Sequence, residues 1–181
     1  MLFRSDIGML TLHATPSSTA ARPTQALIQT TFNELNAEVS PDGRWVAYQS
    51  NESGFNQVYV RPFPNVDTGH WQVSTGAGTR PLWARSGREL FYEANGALMV
   101  VTAQTTGTMF SAGNPTKVMD ITPYYGGGGP LTGRTYDVSA DGQRFLMIKF
   151  STAGPNSTAV SPSLVVVEHW TEELKARVPT K

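Results

Sequence analysis

A single unit, met three times along the chain, constrains the fold more than any other feature. It reads Ser40-Pro41-Asp42-Gly43-Arg44-Trp45-Val46-Ala47-Tyr48, returns as Ala84-Arg85-Ser86-Gly87-Arg88-Glu89-Leu90-Phe91-Tyr92, and returns again as Ser139-Ala140-Asp141-Gly142-Gln143-Arg144-Phe145-Leu146-Met147. Pro41 presets φ for the second position of a type I turn, Asp42 has a carboxylate that can bond nearby backbone, and Gly43 takes positive φ without a Cβ clash. Gly87, Asp141 and Gly142 hold the corresponding places in the later copies. Each unit is therefore a hairpin. The strand after each turn is almost continuously apolar, the pattern of a strand covered on both faces. The turn glycines lie 44 and then 55 residues apart, the second interval being stretched by the glycine-rich Gly126–Gly133. A period of about 40–45 residues with four strands per unit is a propeller-blade signature.

Ser-Pro-Asp-Gly-Arg followed by an aromatic–aliphatic strand resembles the TolB-like propeller repeat of bacteria. The tract Gln49–Gly54, then Val58–Pro64, then Trp71–Ser74 is similar to propellers at the C-terminal end of bacterial serine/threonine protein kinases and related sensor-like proteins, and the ending Trp170–Lys175 resembles the way such chains finish. The resemblance covers about residues 24–178. It implies an all-β partial β-propeller and places any phosphotransfer in an upstream domain, none of whose motifs occurs here.

Composition narrows the partners. With 39% apolar and 15% charged residues, the 181-residue chain is neither disordered nor membrane-spanning in character, and one domain is expected. Fourteen basic and fourteen acidic side chains cancel, which argues against nucleic acid and anionic membranes as partners. The lack of cysteine excludes disulfides, thiolate metal sites and thiol catalysis. Ile7–Ala14 resembles the apolar part of a secretory signal, but Asp6 cancels the charge of Arg4, and Thr11 and His13 interrupt the apolar stretch. An outer strand is the better expectation.

In chain order, residues 1–35 hold the outer strands of an incomplete blade (Ile7–Ala14 and Thr24–Thr30). Residues 36–79 form a blade with strands near Asn36–Ser40, Arg44–Ser50, Gln57–Phe63 and His70–Thr75. Residues 80–133 form a second, at Arg80–Arg85, Glu89–Ala94, Ala97–Gln104 and Pro115–Ile121. Residues 134–181 hold a last incomplete unit at Arg134–Ser139, Arg144–Phe150 and Ser163–Trp170, followed by a short C-terminal helix capped by Thr171. About three blades result, fewer than the four or more of closed propellers, so the chain is expected either to be the C-terminal end of a larger ring or to associate with itself through open edges.

Chemistry is conspicuous by what is missing. There is no Gly-x-Ser-x-Gly elbow, no His-Glu-x-x-His, and no triad spacing around His13, His70 or His169. Gly128–Thr135 approaches a phosphate loop, yet Arg134 stands where lysine is needed and a strand follows where the motif needs a helix. The Asp-Gly turns each offer one carboxylate, too few for calcium. Trp45, Trp71, Trp83 and Trp170 read as core. No cofactor, metal or catalytic residue is expected.

Alternating loops gather Thr31–Leu35, Asn51–Asn56, Thr75–Thr79, Thr122–Gly133 and Ser151–Pro162 on one face, the better candidate for recognition. Tyr124 and Tyr125 would supply contact area there, and Arg80 and Arg134, at the starts of innermost strands, would face a central channel. Glu38 and Asp137 align with Leu82 and would line the same channel. The expectation is a non-catalytic module that binds a protein or small ligand, the C-terminal part of a larger bacterial kinase-like or sensor protein. A periplasmic or extracytoplasmic setting would follow if that protein is membrane-anchored. The alternatives are the propeller portion of a prolyl-oligopeptidase-like peptidase and a Tol-system-like periplasmic interaction propeller.

Overall fold

The structure is a computed structural model and describes residues 4–10, 24–124 and 133–148. It is all-β, built from several antiparallel sheets, none of them closed. A short pair, β1 (Ile7–Met9) and β2 (Gln25–Ile28), comes first. The first full sheet is the meander β3 (Glu34–Val39), β4 (Trp45–Ser50), β5 (Gln57–Pro62) and β6 (Trp71–Gln72). The second comprises β7 (Thr79–Trp83), β8 (Glu89–Ala94), β9 (Ala97–Thr106), β10 (Met109–Ala112) and β11 (Thr116–Asp120). A last pair joins β12 (Tyr136–Val138) to β13 (Phe145–Met147). The expected strand Ser163–Trp170 and the helix after it lie outside the described residues.

The three turns close alike. Gly43 N–H donates to the Ser40 carbonyl at 2.8 Å, Gly87 to Ala84 at 2.8 Å and Gly142 to Ser139 at 2.9 Å. Their φ values are 70°, 68° and 71°, a left-handed conformation in which a Cβ would be strained. In the first copy the Ser40 hydroxyl donates to Asp42 at 2.5 Å and accepts from Trp45 N–H at 3.0 Å, so side chains as well as backbone define the hairpin. Burial opposes ionisation of Asp42, but Ser40 and Arg44 outweigh it and hold the carboxyl below its usual range.

Every residue of β4 is buried, because its two faces meet different neighbours. Val46 and Tyr48 pack with Ile28 towards the β1–β2 pair. Trp45 and Ala47 pack with Leu90, Tyr92 and Val101 of the second sheet. The second sheet repeats the arrangement, its Phe91 and Leu98 packing with Tyr136 and Phe145 of the last pair.

The chain departs from the sequence expectation in the fourth strand of the second sheet. Only Pro115–Ile121 is expected to pair, whereas β9 runs on to Thr106 and β10 folds back along it, Phe110 opposite Thr105. β10 and β11 thus form one outer strand, broken near Gly113, where an added Cβ would lie 2.2 Å from the Thr102 hydroxyl. Phe110 explains the extension: it is 3% exposed and packs 5.5 Å from Trp45, 6.0 Å from Trp71 and 6.3 Å from Trp83, ring to ring. Burying such a ring is worth about 1.5–3 kcal/mol. The small polar residues around Gly107 conceal it. Trp45 and Trp83 are buried in this core and Trp71 is half-buried against it, while Trp170 lies outside the described residues.

Candidate functional site

The first strand of each full sheet starts with an irregularity that sets the chemistry around it. In β3 the register shifts between Leu35 and Glu38, and in β7 between Thr79 and Leu82. At these shifts Asn36 and Arg80, 44 residues apart, have φ of 52° and 53°. Asparagine tolerates that region; arginine needs its surroundings to hold it there. Both side chains reach the residue thirteen positions on: Asn36 Nδ2 donates to Gln49 Oε1 at 2.9 Å, and Arg80 Nη1 to Glu93 Oε2 at 2.7 Å.

The two pairs are tied into one network. Gln49 Oε1 also accepts Arg80 N–H at 3.0 Å, which links the sheets, and Tyr136 O–H donates to the Arg80 carbonyl at 2.8 Å, which links the last pair. Arg80 and Glu93 side chains are each 8% exposed. Burial raises the Glu93 pKa above its ordinary value against the opposing pull of Arg80. Burial, with Glu93 and Glu38 adding to it, pushes Tyr136 far upward, so its hydroxyl stays a donor. Arg80, expected as a contact on a channel wall, is instead a buried member of the scaffold, because the Glu93 carboxylate captures its guanidinium.

Arg134 sits in a different place. Its guanidinium pairs with Glu38 and donates to the carbonyls of Pro81 at 3.3 Å and Tyr136 at 3.0 Å, so it bridges β3, β7 and β12. Burial raises Glu38 despite Arg134. The pair lies in a cleft of about 420 Å³ with Asp137 and Leu82, bounded by Pro41 and Arg85 of the short turns. Glu38 and Asp137 both line this cleft.

At the other end of the second sheet, a pocket of about 390 Å³ opens between the Asn95–Gly96 turn and two loops. Thr79, Glu93, Asn95, Thr122 and Tyr124 give it polar atoms, and Ile121 gives it an apolar wall. Gly78 forms part of the rim; a Cβ there would lie 2.3 Å from the Ser74 hydroxyl, which itself accepts Val58 N–H at 2.8 Å. Tyr124 lines this pocket, and its N–H is fixed by the Ile121 carbonyl at 2.9 Å. Tyr125 lies outside the described residues. The three expected contact residues that are described do not converge: Tyr124 is at the long-loop pocket, Arg134 at the short-turn cleft, and Arg80 is buried.

Glu93, Thr79 and Asn95 are pocket residues that sequence reasoning passed over. The signal for Glu93 was present in the spacing, since Gln49 precedes it by the same 44 residues that separate Asn36 from Arg80. A third surface holds His70, whose Nε2 is 3.0 Å from Glu52 and whose ring stacks on Tyr59 at 4.9 Å. Burial lowers the His70 pKa, with Glu52 pulling the other way. The neighbouring Ser53 hydroxyl donates to the Phe55 carbonyl at 3.2 Å. His13 and His169 lie outside the described residues.

Among the described residues no group of three or more His, Asp or Glu side chains is placed to hold a metal ion, and no helix is long and apolar enough to cross a membrane. No protein-family model matches the sequence, and no curated protein matches it.

Proposed function

We propose that this chain is a non-catalytic segment of a TolB-like β-propeller, the C-terminal part of a larger bacterial kinase-like or sensor protein, which binds a small polar ligand or the tip of a protein partner at its long-loop end. The observation that carries this reading is the pocket formed by Gly78, Thr79, Glu93, Asn95 and Tyr124 at the head of the second sheet. Its polar wall is braced from behind by the Arg80–Glu93 pair, so the site is held in shape before anything binds. The propeller part rests on consecutive antiparallel sheets that stack face on face with a repeated inner-strand irregularity. Binding uses the long loops because connections of that kind, held on a rigid scaffold, carry recognition more often than tight turns do.

A thermal-shift screen with short peptides, monosaccharides and nucleotides tests the proposal. A compound at about 100 times its Kd stabilises the protein by about 2.7 kcal/mol, which is readily seen. The shift is expected to disappear in Thr122→Arg, which fills the exposed mouth of the pocket, and to persist in Arg85→Glu at the other end. A ligand whose effect survives Thr122→Arg, or turnover of a peptide or ester substrate by the purified chain, overturns it.

A further inference from the structure

The middle copy of the turn lacks the aspartate of the other two, and two arginines are left unpaired beside it. In the first copy Asp42 Oδ1 accepts from the Ser40 hydroxyl at 2.5 Å and from Arg44 N–H at 3.2 Å, while Oδ2 accepts from Arg44 Nε at 2.8 Å. In the third copy Asp141 accepts Gln143 N–H at 3.0 Å and lies 3.5 Å from Arg144 Nη2. Ser86 stands at this position in the middle copy. Its hydroxyl accepts Arg88 N–H at 3.3 Å, which replaces the backbone half of the aspartate's role. The half that neutralises an arginine has no replacement. Among the described residues Arg85 and Arg88 pair with no acidic side chain, whereas every other described arginine does.

The two cations border one groove. It lies between the first and second turns, has a volume of about 410 Å³, and is lined by Ser40, Asp42, Trp45, Ser86 and Thr105 as well as by the two arginines. Its side-chain oxygens are already engaged: Asp42 as above, Ser40 by Trp45 N–H at 3.0 Å, Ser86 by Arg88 N–H, and Thr105 by Arg44 Nη2 at 3.4 Å. The side-chain groups left over are donors, namely the two guanidiniums and the indole N–H of Trp45, which is buried without an acceptor. The negative charge that Asp42 brings to the lining is cancelled by Arg44. A cationic groove rich in spare donors suits an anion, and the planar fork of a guanidinium matches a carboxylate.

We propose that this groove binds a pair of carboxylates on an acidic segment of a protein partner, one at Arg85 and one at Arg88, in place of the aspartate that the middle turn lacks. Arg85 also borders the cleft that holds Glu38 and Arg134, so the cationic surface extends past the groove and suits a ligand longer than a small diacid. The site goes beyond the long-loop reading and does not depend on it, since Thr79, Glu93 and Tyr124 line a different pocket at the other end of the second sheet.

Fluorescence anisotropy of a labelled serine–glycine peptide carrying two adjacent glutamates, on the whole chain, is the test. Binding is expected, and it should weaken as ionic strength rises because both arginines are exposed. Arg85→Gln and Arg88→Gln should each weaken it about tenfold, the loss of one charge-assisted contact. Glutamine already holds the position of Arg88 in the third copy, as Gln143, so the turn accepts it. Ser86→Asp should weaken binding as much, because it gives Arg88 the carboxylate that Arg44 finds in Asp42. Far-UV circular dichroism should not change in any of the three, since all these side chains lie at the surface. A ligand of the long-loop pocket should still stabilise Ser86→Asp, so the two sites stand or fall separately. Succinate that binds as tightly as the peptide would overturn the protein partner in favour of a free dicarboxylate. Equal binding of a glutamine version of the peptide, equal displacement by inorganic phosphate, or binding that Ser86→Asp leaves unchanged would each overturn the carboxylate site itself.

Discussion

At the head of the first sheet Asn36 bonds Gln49; at the head of the second, Arg80 bonds Glu93 across the same thirteen-residue interval and with the same left-handed backbone. One pair is neutral and the other ionic. The backbone irregularity thus demands a side-chain bond across the strand pair but does not dictate its charge. The ionic version occurs where the pair has the ligand pocket on one side and Tyr136 on the other. Desolvating a carboxylate and a guanidinium is costly, and a neutral pair would serve stability as well. The charge is therefore not required to hold the sheet together, and in the proposed binding role it would serve the pocket instead.

The sharpest way to break this comparison is Arg80→Met. It strands a buried carboxylate and should lower unfolding stability by about 3–5 kcal/mol in urea titrations at pH 8. The deficit should shrink at pH 5, since Glu93 then takes up a proton; a pH-independent deficit would mean that lost packing, not charge, is responsible. Next in size is the conversion of the second pair into the first. Arg80→Asn with Glu93→Gln should recover at least half of the stability that Arg80→Met loses, because neither residue is left charged and alone. Recovery below that would show that the longer arginine side chain is needed to reach across the second sheet.

A smaller effect is expected at the neutral pair. Asn36→Ala removes a hydrogen bond worth about 0.5–1.5 kcal/mol and sets a Cβ without polar compensation at positive φ. Asn36→Gly loses the same bond but relieves the backbone and should cost visibly less. An equal cost in both variants would remove the conformational part of the argument.

The smallest effect concerns pH. Glu34 is 1% exposed; one carboxylate oxygen accepts from the Thr30 hydroxyl and the other has no hydrogen-bond partner. Burial raises its pKa, as it does for Glu38 and Glu93. A carboxyl whose folded pKa is raised binds its proton more tightly in the native state. Its stabilising contribution is therefore complete below the unfolded pKa and is lost as pH rises towards the folded value. Asp42 and Asp141 act in the opposite sense, their pKa values being lowered. Glu34→Gln should flatten the decline between pH 4 and pH 7 and raise the melting temperature at pH 7 by about 2–4 °C. A melting temperature that falls instead would show that the ionised form is stabilised in the fold.

The hairpins were legible because their causes are local. Gly43, Gly87 and Gly142 take positive φ within four residues of the carbonyls that they bond, so each turn is written in its own tetrapeptide. The buried strands after the first two turns were legible for the same reason, whereas β13, expected to be covered on both faces, is only partly buried, Leu146 being 77% exposed. Phe110 was not, since what draws β10 into the sheet is the cluster of Trp45, Trp71 and Trp83, up to 65 residues away. Arg80 was visible only as a cation at the start of a strand. Its burial depends on Glu93, Gln49 and Tyr136 arriving from three other strands.

The amino-acid order was enough to establish antiparallel hairpins at a repeating interval, a composition without cysteine and the spacing that makes Asn36 equivalent to Arg80, because turn geometry and face alternation act over a few residues. Which equivalent positions are covered and which lie bare, and which polar groups meet, was decided only by stacking the sheets. That stacking brings together side chains tens of residues apart, and it is the neighbouring β12–β13 pair, not the residue's own type, that covers Phe91.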